Sequence, residues 1–139
     1  MTLEQEPVNV QVVMAFLENM DPWAFEHLCA QSLIHNGFDG TRVTPGSGDY
    51  GVDIIASRGN ERWAVQCKRY TPTRYAGNNG IQEVYTGAHY YGCTHAAVMT
   101  TTLFTDLSKA IAHSLGVYLW DRYTLYYMVQ KALRDYGFG

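Results

Sequence analysis

The chain has 139 residues, 47% of them hydrophobic and 17% charged, with a formal net charge of -3. That length suits one domain with one sizeable core, and the balance of apolar and charged residues excludes a disordered chain. The acidic total argues against a general coating of nucleic acid but leaves room for a local basic patch. Cys29, Cys67 and Cys93 are odd in number and widely spaced, with no Cys-x-x-Cys pair, so neither a disulfide scaffold nor a zinc site is expected. The opening "MTLEQEPVNV" lacks the basic and apolar regions of a signal peptide. No apolar run approaches the roughly 20 residues that span a membrane. The expectation is a soluble, cytoplasmic protein with no membrane partner.

In chain order, Val12, Val13, Phe16 and Leu17 fall on one side of a short helix over residues 8 to 19. Asp21-Pro22 is a stronger start signal, an N-cap acceptor followed by proline at the first helical position. That helix should run from Pro22 to about Asn36 and stop at Gly37. Phe38 to Val43 reads as a strand, residues 44 to 51 as a glycine- and proline-rich loop, and "VDIIAS" as a second strand. Arg58-Gly59-Asn60 is turn chemistry before the return strand "RWAVQCKRY". Helices are expected over residues 81 to 91, 105 to 115 and 121 to 136, separated by the strands "HAAVMTT" and "VYLW". The predicted fold class is α/β, a central mixed β-sheet flanked by helices in the order α-β-β-β-α-β-α-β-α. Residues 1–139 read as one domain, with 1–20 as a helical extension and 21–139 as the core.

"AVQCKRY", residues 64 to 70, breaks the expected pattern, because Gln66 and Lys68 interrupt an otherwise apolar strand on one face. If Arg58 to Glu61 form the hairpin loop, Asp53 lies opposite Gln66 and shares that face. Val52, Ile54, Val65 and Cys67 should then point towards packing. On the preceding helix, Glu26 shares its side with Trp23, Ala30 and Leu33, at the edge of a buried stripe. Burying an ionised carboxylate is costly unless a cation or donors meet it. Two carboxylates, an amide oxygen and an ammonium make an oxygen-lined site for a hard cation such as magnesium, beside a lysine able to stabilise phosphoryl charge. Arg69, Arg74 and Arg42 are candidate cations for a DNA groove. Leu125, Tyr126, Val129 and Leu133 offer an apolar face for a homodimer or for the core.

The segments "FEHLCAQSLIHNGF", "GDYGVDIIA", "WAVQCKRY", "VMTTTLFT" and "GVYLWD" occur in the order of the Mrr-like restriction endonuclease domain, and residues 21 to 128 resemble that domain. It is a branch of the PD-(D/E)xK nuclease superfamily. The resemblance implies a restriction-endonuclease-like core and a magnesium-dependent endodeoxyribonuclease of restriction or defence type, with manganese as a substitute ion. It also implies roles: Glu26 as the helix acid, Asp53 as the main metal ligand, and Lys68 as the catalytic lysine. Gln66 stands where the wider superfamily has Glu or Asp, the Gln-x-Lys form of this branch, and the Cys67 backbone carbonyl would be a further ligand. The rival readings are a weak or inactive nuclease fold that only binds DNA, and a structure-specific junction resolvase. Sequence specificity then falls to loops, to dimerisation, or to a separate specificity domain or subunit.

Overall fold

The computed structural model describes residues 5–44, 51–71 and 74–137. Most of the expected 44–51 loop lies outside them. Helix α1 (Val8–Glu18) leads into α2 (Pro22–His35), which starts where expected: the Asp21 side chain accepts from the Ala24 N–H at 2.8 Å. Strands β1 (Asp39–Val43), β2 (Ile54–Arg58) and β3 (Glu61–Lys68) follow, then α3 (Asn79–Tyr90), β4 (His95–Thr100), α4 (Asp106–Leu115), β5 (Tyr118–Trp120) and α5 (Arg122–Met128). Thr105 caps α4 by accepting from the Ser108 N–H, and Gly116 ends it in the left-handed region at φ 72°. That conformation costs glycine little.

The sheet order is β1-β2-β3-β4-β5. β1–β2 and β2–β3 are antiparallel, while β3–β4 and β4–β5 are parallel, as the succession of strands and then β-α-β steps implied. Alternation along the strands divides the core between two faces. Ile54, Ala56, Trp63, Val65, Ala97 and Met99 pack with α1, α2 and α5. Ile55, Ala64, Ala96 and Val98 pack with apolar residues of α3 and α4.

Several expectations need correction. Strand β2 begins at Ile54 rather than Val52, because the chain bends at Asp53. Val52 is therefore out of step with Ile54 and Val65 and packs on the opposite face, with Ile55 and Ala64. The last helix does not run unbroken to Tyr136: α5 ends at Met128, and a separate 3-10 helix covers Ala132–Tyr136. Leu125, Val129 and Leu133 are fully buried in the core, so that face is not available for a dimer. The N-terminal helix belongs to the same core, since Met14 and Leu17 are fully buried within it.

Candidate active site

The hairpin register decides which side chains meet. Ile54 pairs with Val65 and Arg58 with Glu61, leaving Gly59 and Asn60 as the turn; the ladder stops at Ile54, one residue after Asp53, so the expected pairing of Asp53 with Gln66 is not formed as a rung. At Asp53 the chain leaves the ladder. Its N–H donates to Val65 O at 2.8 Å, its carbonyl accepts from Thr44 N, and its side-chain Oδ2 accepts from the Cys67 N–H at 2.8 Å. The carboxylate thus takes the place of a backbone acceptor and is held at a fixed position by β3.

Gln66 and Lys68 project from β3 beneath the start of α3, where a Cβ on Gly80 would lie 3.1 Å from Lys68 Cε and 3.9 Å from Gln66 Cγ. The Gln66 amide satisfies both its ends when Nε2 donates to Gly51 O and Oε1 accepts from Lys68 Nζ at 3.1 Å. A pocket of about 340 Å³ collects Glu26 from α2, Asp53, Gln66 and Lys68 from the hairpin, and Glu83 from α3. Cys67 and Arg69 border the same pocket. The four residues expected from sequence therefore meet. Their setting differs in one respect: Trp23, placed in a buried stripe with Glu26, is 69% exposed and stacks on His27, leaving Glu26 half-buried at the pocket wall.

The electrostatics follow from burial. Burial raises the Asp53 carboxyl above its ordinary range, the Cys67 N–H and Lys68 pull it down, and Glu83 adds to the rise. Glu26 is raised by burial first and by Asp53 second, with His27 opposing. Two acids that resist ionisation at one polar pocket are groups whose charged forms a bound cation would stabilise. Oxygen donors of this kind suit magnesium or manganese and do not suit a soft metal. Gln66 Oε1 can join Asp53 and Glu26 as a ligand but adds no charge. Among the described residues, no three His, Cys, Asp or Glu side chains cluster closely enough to form a ready-made metal centre.

The three arginines separate. Arg69 Nη1 donates to the backbone carbonyl of Glu18 at 2.7 Å, which ties the end of β3 to α1. Arg74 lies with its guanidinium 4.9 Å above the Tyr70 ring. Arg42 sits on β1 opposite Ile55 and, with Arg62, is near enough to Cys93 to oppose the rise that burial gives its thiol. It does not line the pocket. Glu83 is the site residue that sequence reading missed. Its Oε2 is 3.9 Å from Lys68 Nζ. The available signal was its place one turn after Gly80 on α3, since a glycine there allows the helix to come close to the strand.

Comparison with known proteins follows the same lines. A family model described as restriction endonuclease, the Mrr catalytic domain, matches residues 17–129. No curated protein matches. Among solved structures, the chain is similar to the MspJI restriction endonuclease in complex with a 27-mer oligonucleotide, at 20% identity and a TM-score of 0.69, covering 94% of this chain and 32% of that one. It is similar to the DNA modification-dependent restriction endonuclease AspBHI at 15% identity and a TM-score of 0.72, covering 95% and 36%. It also resembles a protein of unknown function, AF1548, at 24% identity and a TM-score of 0.60, covering 69% and 55%. The chain thus spans about a third of the two endonucleases and about half of the third protein. Among the described residues, no helix is long and apolar enough to cross a membrane.

Proposed function

The chain belongs to the restriction endonuclease family of Mrr catalytic domains, and from that premise we propose that it hydrolyses DNA phosphodiester bonds with magnesium or manganese, in restriction or a related defence role. The observation that supports this most is the meeting of Glu26 from α2, Asp53 from the segment before β2, and Gln66 and Lys68 from β3 at one polar pocket. Asp53, Gln66 and Glu26, with the Cys67 carbonyl, are the residues to hold the ion. When bound, it supplies positive charge that polarises the phosphodiester and acidifies a water.

The chain's own groups do the rest. The Cys67 N–H fixes the Asp53 carboxylate, so a ligand is in place before substrate arrives. Gln66 Oε1 and the Glu83 carboxylate hold the Lys68 ammonium at the pocket. There it stabilises the negative charge that grows on the phosphoryl oxygens during attack. Lys68 acts mainly on the transition state, whereas ground-state DNA also meets arginines.

Lys68→Ala should therefore lower the cleavage rate of supercoiled or linear DNA about 100-fold or more, the scale for losing one preorganised charge donor. DNA affinity should change far less, and the fold should persist. Equal cutting by wild type and Lys68→Ala in magnesium would place the chemistry elsewhere. One observation favours a second reading, a nuclease fold that binds DNA without cutting: the amide of Gln66 leaves the site with fewer charged ligands than a pair of strand acids would. Magnesium-independent binding with no cleavage by the wild type would select that reading.

A further inference from the structure

A second, smaller cavity lies on the other side of Lys68. It measures about 220 Å³, and Lys68, Tyr70, Arg74, Tyr75, Asn79 and Gly80 line it. That is below the roughly 300–1,000 Å³ typical of pockets enclosing a small molecule. It suits a group the size of a phosphate with part of a sugar, and is too small for a base pair. Two cations and an amide line it, with no carboxylate among the described lining residues. Beyond Tyr75, which borders both cavities, the next one turns acidic: Asp106 and Asp121 line it, with Lys109 as its cation.

The walls are built from fixed parts. The Tyr70 backbone is pinned at both ends by one side chain: its N–H donates to Thr101 Oγ1 at 2.8 Å and its carbonyl accepts from the Thr101 hydroxyl at 2.7 Å. Arg74 rests on that ring. Ala76 anchors the other flank, its N–H donating to Leu103 O at 2.8 Å and its carbonyl accepting from Ser108 Oγ at 3.1 Å. Gly80, lacking a side chain, lets α3 come close against Lys68. Because Lys68 borders this cavity and the larger pocket alike, occupants of the two would be neighbours on one strand.

We propose that this cavity is a phosphate subsite, which seats the phosphodiester next to the one being cut, with the Arg74 guanidinium and the Asn79 amide as its donors and Tyr75 against the deoxyribose. The assignment rests on the nuclease reading above, and its test separates the two. Binding is measured first without metal, by fluorescence anisotropy of a short labelled oligodeoxynucleotide over a range of salt. Arg74→Ala should weaken binding about tenfold or more on every sequence, as for one charge-assisted hydrogen bond, and reduce the salt slope by about one phosphate contact. Arg74→Lys should restore the slope, and Asn79→Ala should weaken binding without altering it. In magnesium, a substrate with a neutral methylphosphonate beside the cut should lose about tenfold in kcat/KM with wild type and little with Arg74→Ala.

An unchanged salt slope in a folded Arg74→Ala variant would overturn the subsite. So would equal methylphosphonate losses in wild type and variant. Wild type that binds with the expected slope yet never cuts overturns the nuclease reading and leaves the subsite standing.

Discussion

Asp53 is held by opposed demands. Its Oδ2 accepts the Cys67 N–H, which favours the charged form, while burial and the neighbouring Glu83 disfavour it more strongly. The folded-state pKa is raised, so the folded protein holds its proton to a higher pH than the unfolded chain does. The contribution of this group to stability is then fully present below the unfolded carboxylate range and is lost as pH rises through the raised value. Glu26 contributes in the same sense. Asn at position 53 keeps an oxygen acceptor for the Cys67 N–H and removes the charge. In chelator at neutral pH, Asp53→Asn should melt at or above the wild-type temperature, and the advantage should vanish as pH drops below the carboxylate range. Millimolar magnesium should raise the wild-type melting temperature and leave the variant nearly unmoved, because an ion bound only by the native state stabilises it. Equal magnesium shifts in both proteins would remove Asp53 from the ligand set.

At the scale of elements, the site depends on how closely α3 meets the hairpin. Gly51 has φ 68°, and a Cβ there would stand 2.5 Å from Glu83 Cβ and 2.7 Å from its backbone carbonyl. The segment carrying Asp53 is thus pressed onto α3, and Gln66 closes the contact by donating to Gly51 O. Gly80 serves the same approach differently. It is helical, so alanine should favour the helix by up to about 1 kcal/mol. The added methyl would meet Lys68 Cε at 3.1 Å, and a flexible lysine end yields where backbone would not. Gly80→Ala should therefore raise thermal stability slightly while lowering kcat by displacing the ammonium. A variant that is both more stable and fully active would show that Lys68 tolerates the shift. The break after α5 belongs to this scale as well. Leu125, Val129 and Leu133 keep a four-residue apolar spacing across it, so the pattern reads as one continuous helix.

Across the whole molecule, Arg122 ties the two ends of the fold together. It is 3% exposed, its Nε and Nη2 donate to the two oxygens of Glu6 at 2.6 and 2.8 Å, and its Nη1 donates to Glu18 Oε1 at 2.6 Å and to Thr101 O at 2.9 Å. Burial opposes its charge, but Glu6 and Glu18 outweigh that and raise its pKa. The same Glu18 accepts Arg69 through its carbonyl, and Thr101 also pins Tyr70. The network therefore reaches from α1 through α5 to the strand ends that border both cavities. Removing one partner of a buried ion pair typically costs about 3–5 kcal/mol, because the other charge is left uncompensated. Arg122→Leu should lose about that much in urea unfolding, and adding Glu6→Leu should recover a large part of it. A single variant within about 1 kcal/mol of wild type would show that water reaches Glu6 freely.

Much of this protein was legible as local pattern. Asp21-Pro22 and Asp121 announce helix starts through a capping acceptor, and Gly116 announces an end through its backbone freedom, all properties of a few consecutive residues. The period-two placement of Gln66 and Lys68, with the turn at Gly59-Asn60, sufficed for the hairpin register from Ile54–Val65 to Arg58–Glu61, because register depends only on the turn and the alternation, whereas the bend that takes Asp53 out of the ladder was not legible. Tertiary structure alone decided the rest. Glu83 facing Lys68, Glu6 and Glu18 gripping Arg122, and the second cavity beside Arg74 each join segments whose distance depends on how helices and sheet pack. Local propensity carries no information about that distance. It emerges only when the two faces of the sheet have been covered and the polar groups caught between the layers must find one another.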